Sequence, residues 1–274
     1  MTKAHYTRPL QGVILDWAGT TVDYGCLAPT VVFIEMFAQE GVEIVQSEVR
    51  TPMGTYKRDH IRAITEMSAV AARWQAVQGR LPDDNDVQRL FEAFIPRQME
   101  VIAAYADLIP GVVETIAAFR AQGLKIGSTT GYTRSMMDIL LPEAQKRGYA
   151  PDSLVCPDDV SSGRPAPYMI YQNAIQLKVY PMAALVKIGD TVSDIEEGIN
   201  AGTWTIGLAK TGNELGLNQA EVNALPPDEL DMRLQAIHEK LTTAGAHYVV
   251  DTLADTPPVL EEINARLAQG EKPY

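Results

Sequence analysis

The reactive residue types of this chain fall at a few telling places. Asp16 closes the apolar run 12–16 (GVILD) and is followed by Trp17-Ala18-Gly19-Thr20-Thr21. Asp190 and Asp194 stand four apart in Gly189-Asp190-Thr191-Val192-Ser193-Asp194, a spacing that puts both on one face if the strand runs into a helix. Thr130, in Ser128-Thr129-Thr130-Gly131, offers a hydroxyl and a backbone N–H, and Arg164 is a cation on the rigid loop Gly163-Arg164-Pro165-Ala166-Pro167. Singly, each has an ordinary reading: a lone strand-end Asp caps a turn or helix, and a loop arginine is solvated. Together they say more. Carboxylates that converge without a neutralising base are costly unless a hard cation joins them, and Mg²⁺, which takes oxygen ligands, is the natural candidate. A carboxylate, a hydroxyl, a cation and an acidic pair in this order describe phosphoryl transfer, with metal and cation absorbing charge on the transferring group.

For these groups to meet, the chain must bring distant segments to one edge. The runs 12–16, 124–130 (LKIGSTT), 154–158 (LVCPD), 185–190 (LVKIGD) and 203–208 (TWTIGL) each read as a buried strand. Helical patterns over 110–122, 167–177 and 191–201 alternate with them, the last running to Gly202 as a C-cap. Such alternation predicts an α/β fold with a doubly wound, mostly parallel sheet, whose chemistry sits at the C-terminal strand ends. Asp16, Thr130 and Asp190 fall there. After residue 208 come a polar loop (210–218), a helix (228–243), a short strand (247–250) and a final helix (258–267).

The segment between the first two strands has a different character. Val87, Leu90, Phe91, Phe94, Ile95, Met99 and Ile102 recur at helical spacing, and an earlier helix carries Val32, Phe33, Met36 and Phe37. This predicts an all-helical cap inserted into the α/β core, with linkers near 24–29 and 107–111. The expected division is 1–25 with 106–274 as the catalytic core and 26–105 as the cap.

Composition narrows the classes. The chain has 274 residues, 46% of them hydrophobic and 21% charged, enough for a substantial core in an ordinary globular protein. Asp and Glu number 35 against 23 Lys and Arg, a net charge of −12 that disfavours a nucleic-acid partner. The stretch 1–10 lacks the apolar core of a secretory signal. The most apolar long stretch, 101–119, is interrupted by Asp107, Pro110, Gly111 and Glu114, so no membrane partner is expected. Cys26 and Cys156 form neither a zinc spacing nor a disulfide framework, which suits reduced thiols in the cytoplasm.

The four motifs from Asp16 to Asp194 resemble those of the haloacid dehalogenase-like phosphotransferase superfamily. The resemblance implies that Asp16 is a nucleophile forming an aspartyl-phosphate, that Thr130 binds phosphoryl oxygens, and that Arg164 orients nucleophile and phosphate. It implies a Mg²⁺ site made by Asp16, the backbone carbonyl of Ala18 and Asp190, with Asp194 acting behind them. It also implies that the helical insertion is the superfamily's cap. One position departs from the pattern. Phosphatases of the superfamily carry a second Asp two residues after the nucleophile as general acid, and here that position is Ala18.

The insertion offers a counterpart. In Thr51-Pro52-Met53-Gly54-Thr55-Tyr56-Lys57-Arg58-Asp59-His60, a lysine has a histidine three residues on, neighbours if this is helix. Most lysines are solvated surface groups. Yet this segment, the stretch 16–28 (DWAGTTVDYGCLA), the stretch 127–138 (GSTTGYTRSMMD) and the 189–194 loop together resemble the phosphonoacetaldehyde hydrolase family. The resemblance runs from about Val13 to the C-terminal helices. It implies that Lys57 forms a Schiff base with a small phosphonate aldehyde, in a cytoplasmic homodimer joined through the cap.

The chemistry links the two anomalies. Breaking a P–C bond expels a carbanion, a far worse leaving group than an alkoxide. A protonated imine on Lys57 is an electron sink, so cleavage expels an enamine and no departing oxygen needs the proton that Ala18 lacks. To condense, Lys57 must be neutral, whereas at an ordinary pKa only about one amine in 2,500 is unprotonated at pH 7. Burial beside Met53, or positive charge from Arg58 or the metal, would lower that pKa. His60 is expected to shuttle protons, with a helix-surface histidine as its bland reading. Tyr132 either binds substrate or packs, and Cys26 either faces the cleft or is an inert buried thiol. Two rivals stand beside this reading: a phosphomonoesterase of the same superfamily, and a non-catalytic phosphate-binding module.

Overall fold

The computed structural model describes residues 6–273. Residues 1–5 and 274 lie outside the described part, and with them half of the stretch read as lacking a signal and the outer ends of the segments assigned to the core. Six strands, β1 (Gly12–Leu15), β2 (Lys125–Thr129), β3 (Ser153–Val155), β4 (Leu185–Gly189), β5 (Trp204–Leu208) and β6 (Tyr248–Val250), form one sheet in the order β3-β2-β1-β4-β5-β6. Every pairing is parallel. The sheet is buried on both faces, which is why its central strands read as continuous apolar runs. Val13 and Leu15 point into one apolar cluster, Ile14 into another.

Helices cover both faces. α6 (Val112–Ala121), α7 (Arg134–Lys146) and α12 (Thr256–Ala268) supply Phe119, Met137 and Ile263 to the first cluster. α8 (Tyr168–Leu177), α9 (Val192–Ala201) and α11 (Pro227–Thr243) cover the other face, and α10 (Gln219–Ala224) is a short turn between. The remaining five, α1 (Leu27–Gln39), α2 (Gln46–Arg50), α3 (Lys57–Glu66), α4 (Ser68–Gln78) and α5 (Asp84–Val101), all lie between β1 and β2 in the chain. Their apolar faces meet. Phe33 of α1 stacks on Phe94 of α5 at 4.4 Å between ring centroids, and Phe37 meets Trp74 of α4 edge-on. No helix among the described residues is long and apolar enough to cross a membrane.

Local signals explain where these elements start. Asp83 caps α5 by accepting from the backbone N–H groups of Asn85 and Asp86 at 2.9 and 3.1 Å. Asp23 does the same for α1 from outside the helix, accepting from Leu27 and Ala28 at 3.0 Å each. The two chain crossings to the helical insertion run side by side: Val22 bridges Leu108, and the Ile109 N–H donates to the Thr21 carbonyl at 3.0 Å.

α7 is one element the sequence pattern did not separate from the motif before it. Pro142 lies inside it, as Pro96 lies inside α5, and a proline within a periodic run reads as a terminator. Here surrounding packing carries the helix through. Three strands end one residue earlier than the sequence pattern suggests, and in each case the residue just past the end is the one with chemistry to offer: Asp16, Thr130 and Asp190. The strand order reverses between β1 and β4, and it is at that switch point that Asp16 and Asp190 leave the sheet side by side.

Candidate active site

A cleft of about 290 Å³ opens where the carboxyl ends of β1, β2 and β4 meet the helical insertion. Asp16, Ala18, Thr130, Tyr132 and Arg164 line it from the sheet side, and Cys26, Met53, Gly54 and Lys57 from the insertion. All but one of the residues expected from sequence to bind substrate or act in the reaction therefore share one cavity wall. Asp190 and Asp194 are the metal candidates behind it, and His60 stands apart.

The sheet side is a buried charge network. Asp16 Oδ1 accepts from Arg164 Nη2 at 2.7 Å, and the backbone N–H of Asp16 donates to the Ile188 carbonyl of β4 at 3.0 Å, so backbone and side chain are both held. Arg164 is fully engaged. Its Nε donates to Glu197 at 2.9 Å, its Nη2 also to the Thr129 hydroxyl at 2.8 Å, and its Nη1 lies 2.9 Å from Asp194. Beneath it, Lys187 of β4 reaches Thr129, Asp194 and Glu197 at 2.8, 2.8 and 3.2 Å. Asp194 sits in the first turn of α9, where the Thr191 hydroxyl and N–H both donate to its Oδ2 while Thr191 Oγ1 accepts the Asp194 N–H. Asp190 accepts from the Thr20 hydroxyl and from the Asn213 N–H, each at 2.8 Å.

The titration behaviour follows from this packing. Burial raises the Asp16 carboxyl, against the pull of Arg164. Asp190 is pushed far above the usual carboxylate range by burial, then by Asp16 and Asp194. Burial also opposes ionisation of Asp194, but Arg164 and Lys187 outweigh it and hold the carboxyl low. Arg164 stays charged, because Asp16, Asp194 and Glu197 overcome its loss of hydration.

The side facing it has another character. Lys57, the first residue of α3, is 3% exposed, and its Nζ lies 5.1 Å from the Tyr132 ring centroid and 5.7 Å from that of Phe33. Burial lowers its pKa to about 8. The positive neighbour that adds to this is Arg164, not the Arg58 expected from sequence, whose Nε donates away to Gln88 of α5 at 3.0 Å. His60, one turn on, does not line the cleft. It is wholly buried against Phe33, 4.2 Å between centroids, and its Nε2 bonds the Val49 carbonyl at 2.8 Å. That carbonyl only accepts, so Nε2 carries the proton and Nδ1 is left with no partner. Burial, then the Lys57 charge, drives the His60 pKa well below its usual value.

Gly54 shows how tightly the two sides meet. At φ +88° it occupies a conformation open to glycine, and a Cβ there would lie 2.4 Å from Thr191 Oγ1. Its carbonyl accepts from Arg164 Nη1 at 3.3 Å. Gly131 is pressed equally closely, since a Cβ there would meet the Thr55 carbonyl at 2.6 Å.

Sequence reasoning missed Thr129, Lys187, Glu197, Thr20 and Asn213. Two of these carried a readable signal. Lys187 is the lone charge inside an apolar strand, and an unpaired lysine is almost never fully buried. Glu197 follows Asp194 by three and so shares its helix face. Asn213 sits in a loop whose path only the fold reveals.

The donor set suits a divalent cation. Carboxylate oxygens of Asp16, Asp190 and Asp194, all buried, come within 4.8 Å of one another. The network about them holds four carboxylates, Glu197 included, against the two cations Arg164 and Lys187. A hard cation of charge two balances that excess and opposes the burial that pushes the Asp190 carboxyl up.

Comparison with known proteins is consistent with this geometry. The family of haloacid dehalogenase-like hydrolases matches residues 10–202. A phosphonoacetaldehyde hydrolase of Syntrophobacter fumaroxidans is 54% identical, covering 98% of this chain and 97% of its own. One from Nitratidesulfovibrio vulgaris is 48% identical over 98% and 96%. The crystal structure of a phosphonoacetaldehyde hydrolase-like protein from Oleispira antarctica superposes with a TM-score of 0.97 at 42% identity, covering 99% of both chains. The chain thus belongs to the phosphonoacetaldehyde hydrolase family of the haloacid dehalogenase-like hydrolases.

Proposed function

We propose that the protein hydrolyses the P–C bond of phosphonoacetaldehyde, giving acetaldehyde and phosphate. The observation that carries this reading is a buried lysine, its pKa brought down to about 8, facing an Arg164-bound aspartate across one cleft that has a methyl group, Ala18, where a general acid would stand. The names of the relatives point to the same substrate.

The Lys57 amine adds to the aldehyde carbon and, with loss of water, forms a protonated imine. An Asp16 oxygen then attacks phosphorus. The P–C electron pair moves into the imine to give an enamine, and an aspartyl-phosphate remains. Protonation of the enamine carbon and hydrolysis of the imine return Lys57 and release acetaldehyde, while a second water frees phosphate from Asp16. Thr130 holds the phosphoryl oxygens, and Arg164, whose N–H groups are all taken by protein acceptors, keeps Asp16 aimed. His60 does not line the cleft, so its part in the proton transfers of carbinolamine formation and dehydration runs through Lys57, its neighbour one turn back on α3. Tyr132, whose hydroxyl burial holds protonated, closes the aldehyde end together with Met53 and Cys26. Cys26 serves there as an inert wall, because burial drives its thiol well above the usual range.

Asp16, Asp190 and the Ala18 carbonyl would hold Mg²⁺, with Asp194 acting through water, and the ion would offset the negative charge of phosphate and nucleophile. Both Asp194 oxygens are already in contact with Arg164, Lys187 and Thr191, which favours an indirect part in holding the ion. Functionally the chain divides into a cap at 26–105 and a core at 1–25 and 106–274, so substrate is enclosed when the two are seated. The family resemblance adds a cytoplasmic homodimer joined through the cap, which sedimentation tests.

The test of the reaction is trapping. Protein incubated with phosphonoacetaldehyde and Mg²⁺, then reduced with borohydride and digested, is expected to carry a two-carbon adduct on Lys57, with phosphate in solution. Phosphate release from phosphomonoesters with no adduct would instead make this a phosphatase and Lys57 a structural charge.

A further inference from the structure

The polar loop after β5 looks from the sequence like a mere connection, but it ties three parts of the molecule together. Thr211 accepts from the Gly25 N–H at 2.8 Å, and its hydroxyl donates to the Gly19 carbonyl at 2.8 Å. The Asn213 N–H donates to Asp190 Oδ2 at 2.8 Å. From the insertion, Arg50 at the end of α2 reaches across to the same loop. Its Nη1 donates to the Gly25 carbonyl at 2.9 Å, the Asn213 carbonyl at 3.1 Å and Asn213 Oδ1 at 3.3 Å, and its Nη2 to the Gly216 carbonyl at 2.9 Å. Asn213 answers through Nδ2, which donates to the Arg50 carbonyl at 3.0 Å.

Glycines mark where the loop is squeezed. Gly216 has φ +67°, and a Cβ there would fall 2.6 Å from Arg50 Cζ. A Cβ on Gly212 would fall 2.2 Å from Asp190 Cβ. The loop therefore fits between Arg50 on one side and Asp190 on the other with no slack. Asp190 is wholly buried, so water does not replace the Asn213 N–H if the loop shifts. Arg50 itself does not line the cleft.

We infer that Arg50 and Asn213 are positioning residues that tie the seating of the helical insertion to the placement of the Asp190 carboxylate. Withdrawing α2 breaks the bonds that orient Asn213, and with them the one backbone donor holding Asp190 Oδ2. Coupling of this kind is reciprocal: seating the insertion favours a divalent cation at Asp190, and the cation favours the seated insertion. The inference rests on the proposed role of Asp190 at the metal site.

Calorimetric Mg²⁺ titration and hydrogen exchange of residues 46–60, with and without Mg²⁺, test it without reference to turnover. In the wild type Mg²⁺ is expected to bind and to slow exchange in that segment. In Arg50→Gln, Mg²⁺ binds about tenfold more weakly and no longer slows exchange. Asn213→Ala, which keeps the backbone donor, moves the same way by a smaller factor, and combining the two adds little beyond Arg50→Gln alone. Arg50→Lys keeps charge but not the fork of donors and restores only part of the affinity. Should Arg50→Gln fail to fold, as judged by circular dichroism, the Lys and Asn213 variants carry the test. Wild-type Mg²⁺ affinity in those variants, even with faster exchange throughout the insertion, would overturn the inference and leave a plain tie between two packed bodies. A wild-type protein that takes up no Mg²⁺ would overturn the metal reading of Asp190 and this inference with it.

Discussion

Arg164 and Lys57 are both buried cations on the same cleft, and their surroundings treat them in opposite ways. Arg164 is met by Asp16, Asp194 and Glu197, so its charge is secured despite burial. Lys57 is met by the faces of Phe33 and Tyr132, which give a cation far less than water does, and its pKa falls to about 8. Burial alone decides nothing about a charged group; the partners supplied with it do. The sheet side is built to keep charge and the helical side to give it up, as an electrostatic clamp and a nucleophilic amine respectively require.

Replacing the residues on each side should expose that contrast. Asp16→Asn is expected to lower phosphate release by at least about 10⁴-fold, the scale on which a covalent nucleophile matters, while borohydride still traps substrate on Lys57. Phosphate release near the wild-type rate would remove Asp16 from the chemistry. Lys57→Arg keeps a cation but forms no imine, and both the adduct and P–C cleavage should fall by on the order of 10³-fold or more. If cleavage survives in that variant, the lysine acts as a charge and the two cations are alike after all.

Stability should divide the two sides by sign. Glu197→Gln leaves Arg164 and Lys187 short of a buried partner and is expected to cost about 3 kcal/mol in urea unfolding at pH 7. Lys57→Met removes a buried cation that lacks such partners and should stabilise by up to about 3 kcal/mol at the same pH. The sign of its pH dependence follows from protons bound. The folded pKa is about 8 and the ordinary value 10.5, so between these the unfolded chain binds more protons than the folded one. The wild type's deficit is therefore full below about pH 8 and fades toward 10.5, and the advantage of Met should shrink over that window. A constant advantage from pH 7 to 10 would mean Lys57 is not titrating. Smallest is the kinetic counterpart: imine formation, followed by trapping at low substrate, should rise about tenfold per pH unit below 8 and level off above it. A flat profile would place the proton on another group.

The legibility of the molecule followed the same division. Asp16, Thr130, Arg164 and the Asp190–Asp194 pair were visible in the linear chain because each sits next to a strand or helix whose period is local. The six strands were found for that reason, as were α1 and α5 of the insertion. α7 was obscured by Pro142, and the supports Thr129, Lys187 and Glu197 were passed over because nothing local says that a strand lysine and a helix glutamate will meet. Arg58 is next to Lys57 in the chain, but α3 turns its side chain away toward Gln88.

What the amino-acid sequence determined by itself was the alternation of strands and helices and the acidic strand ends. These rest on periodicity and residue type, which act within a turn or two of chain. What the tertiary structure alone decided was electrostatic. It set four carboxylates against two cations in one buried network, placed Lys57 between two rings, and carried a loop from β5 between Arg50 and Asp190. Desolvation and charge pairing depend on distance in space, and parts of the chain that far apart in sequence acquire those distances only when the sheet has formed and the insertion has seated on it.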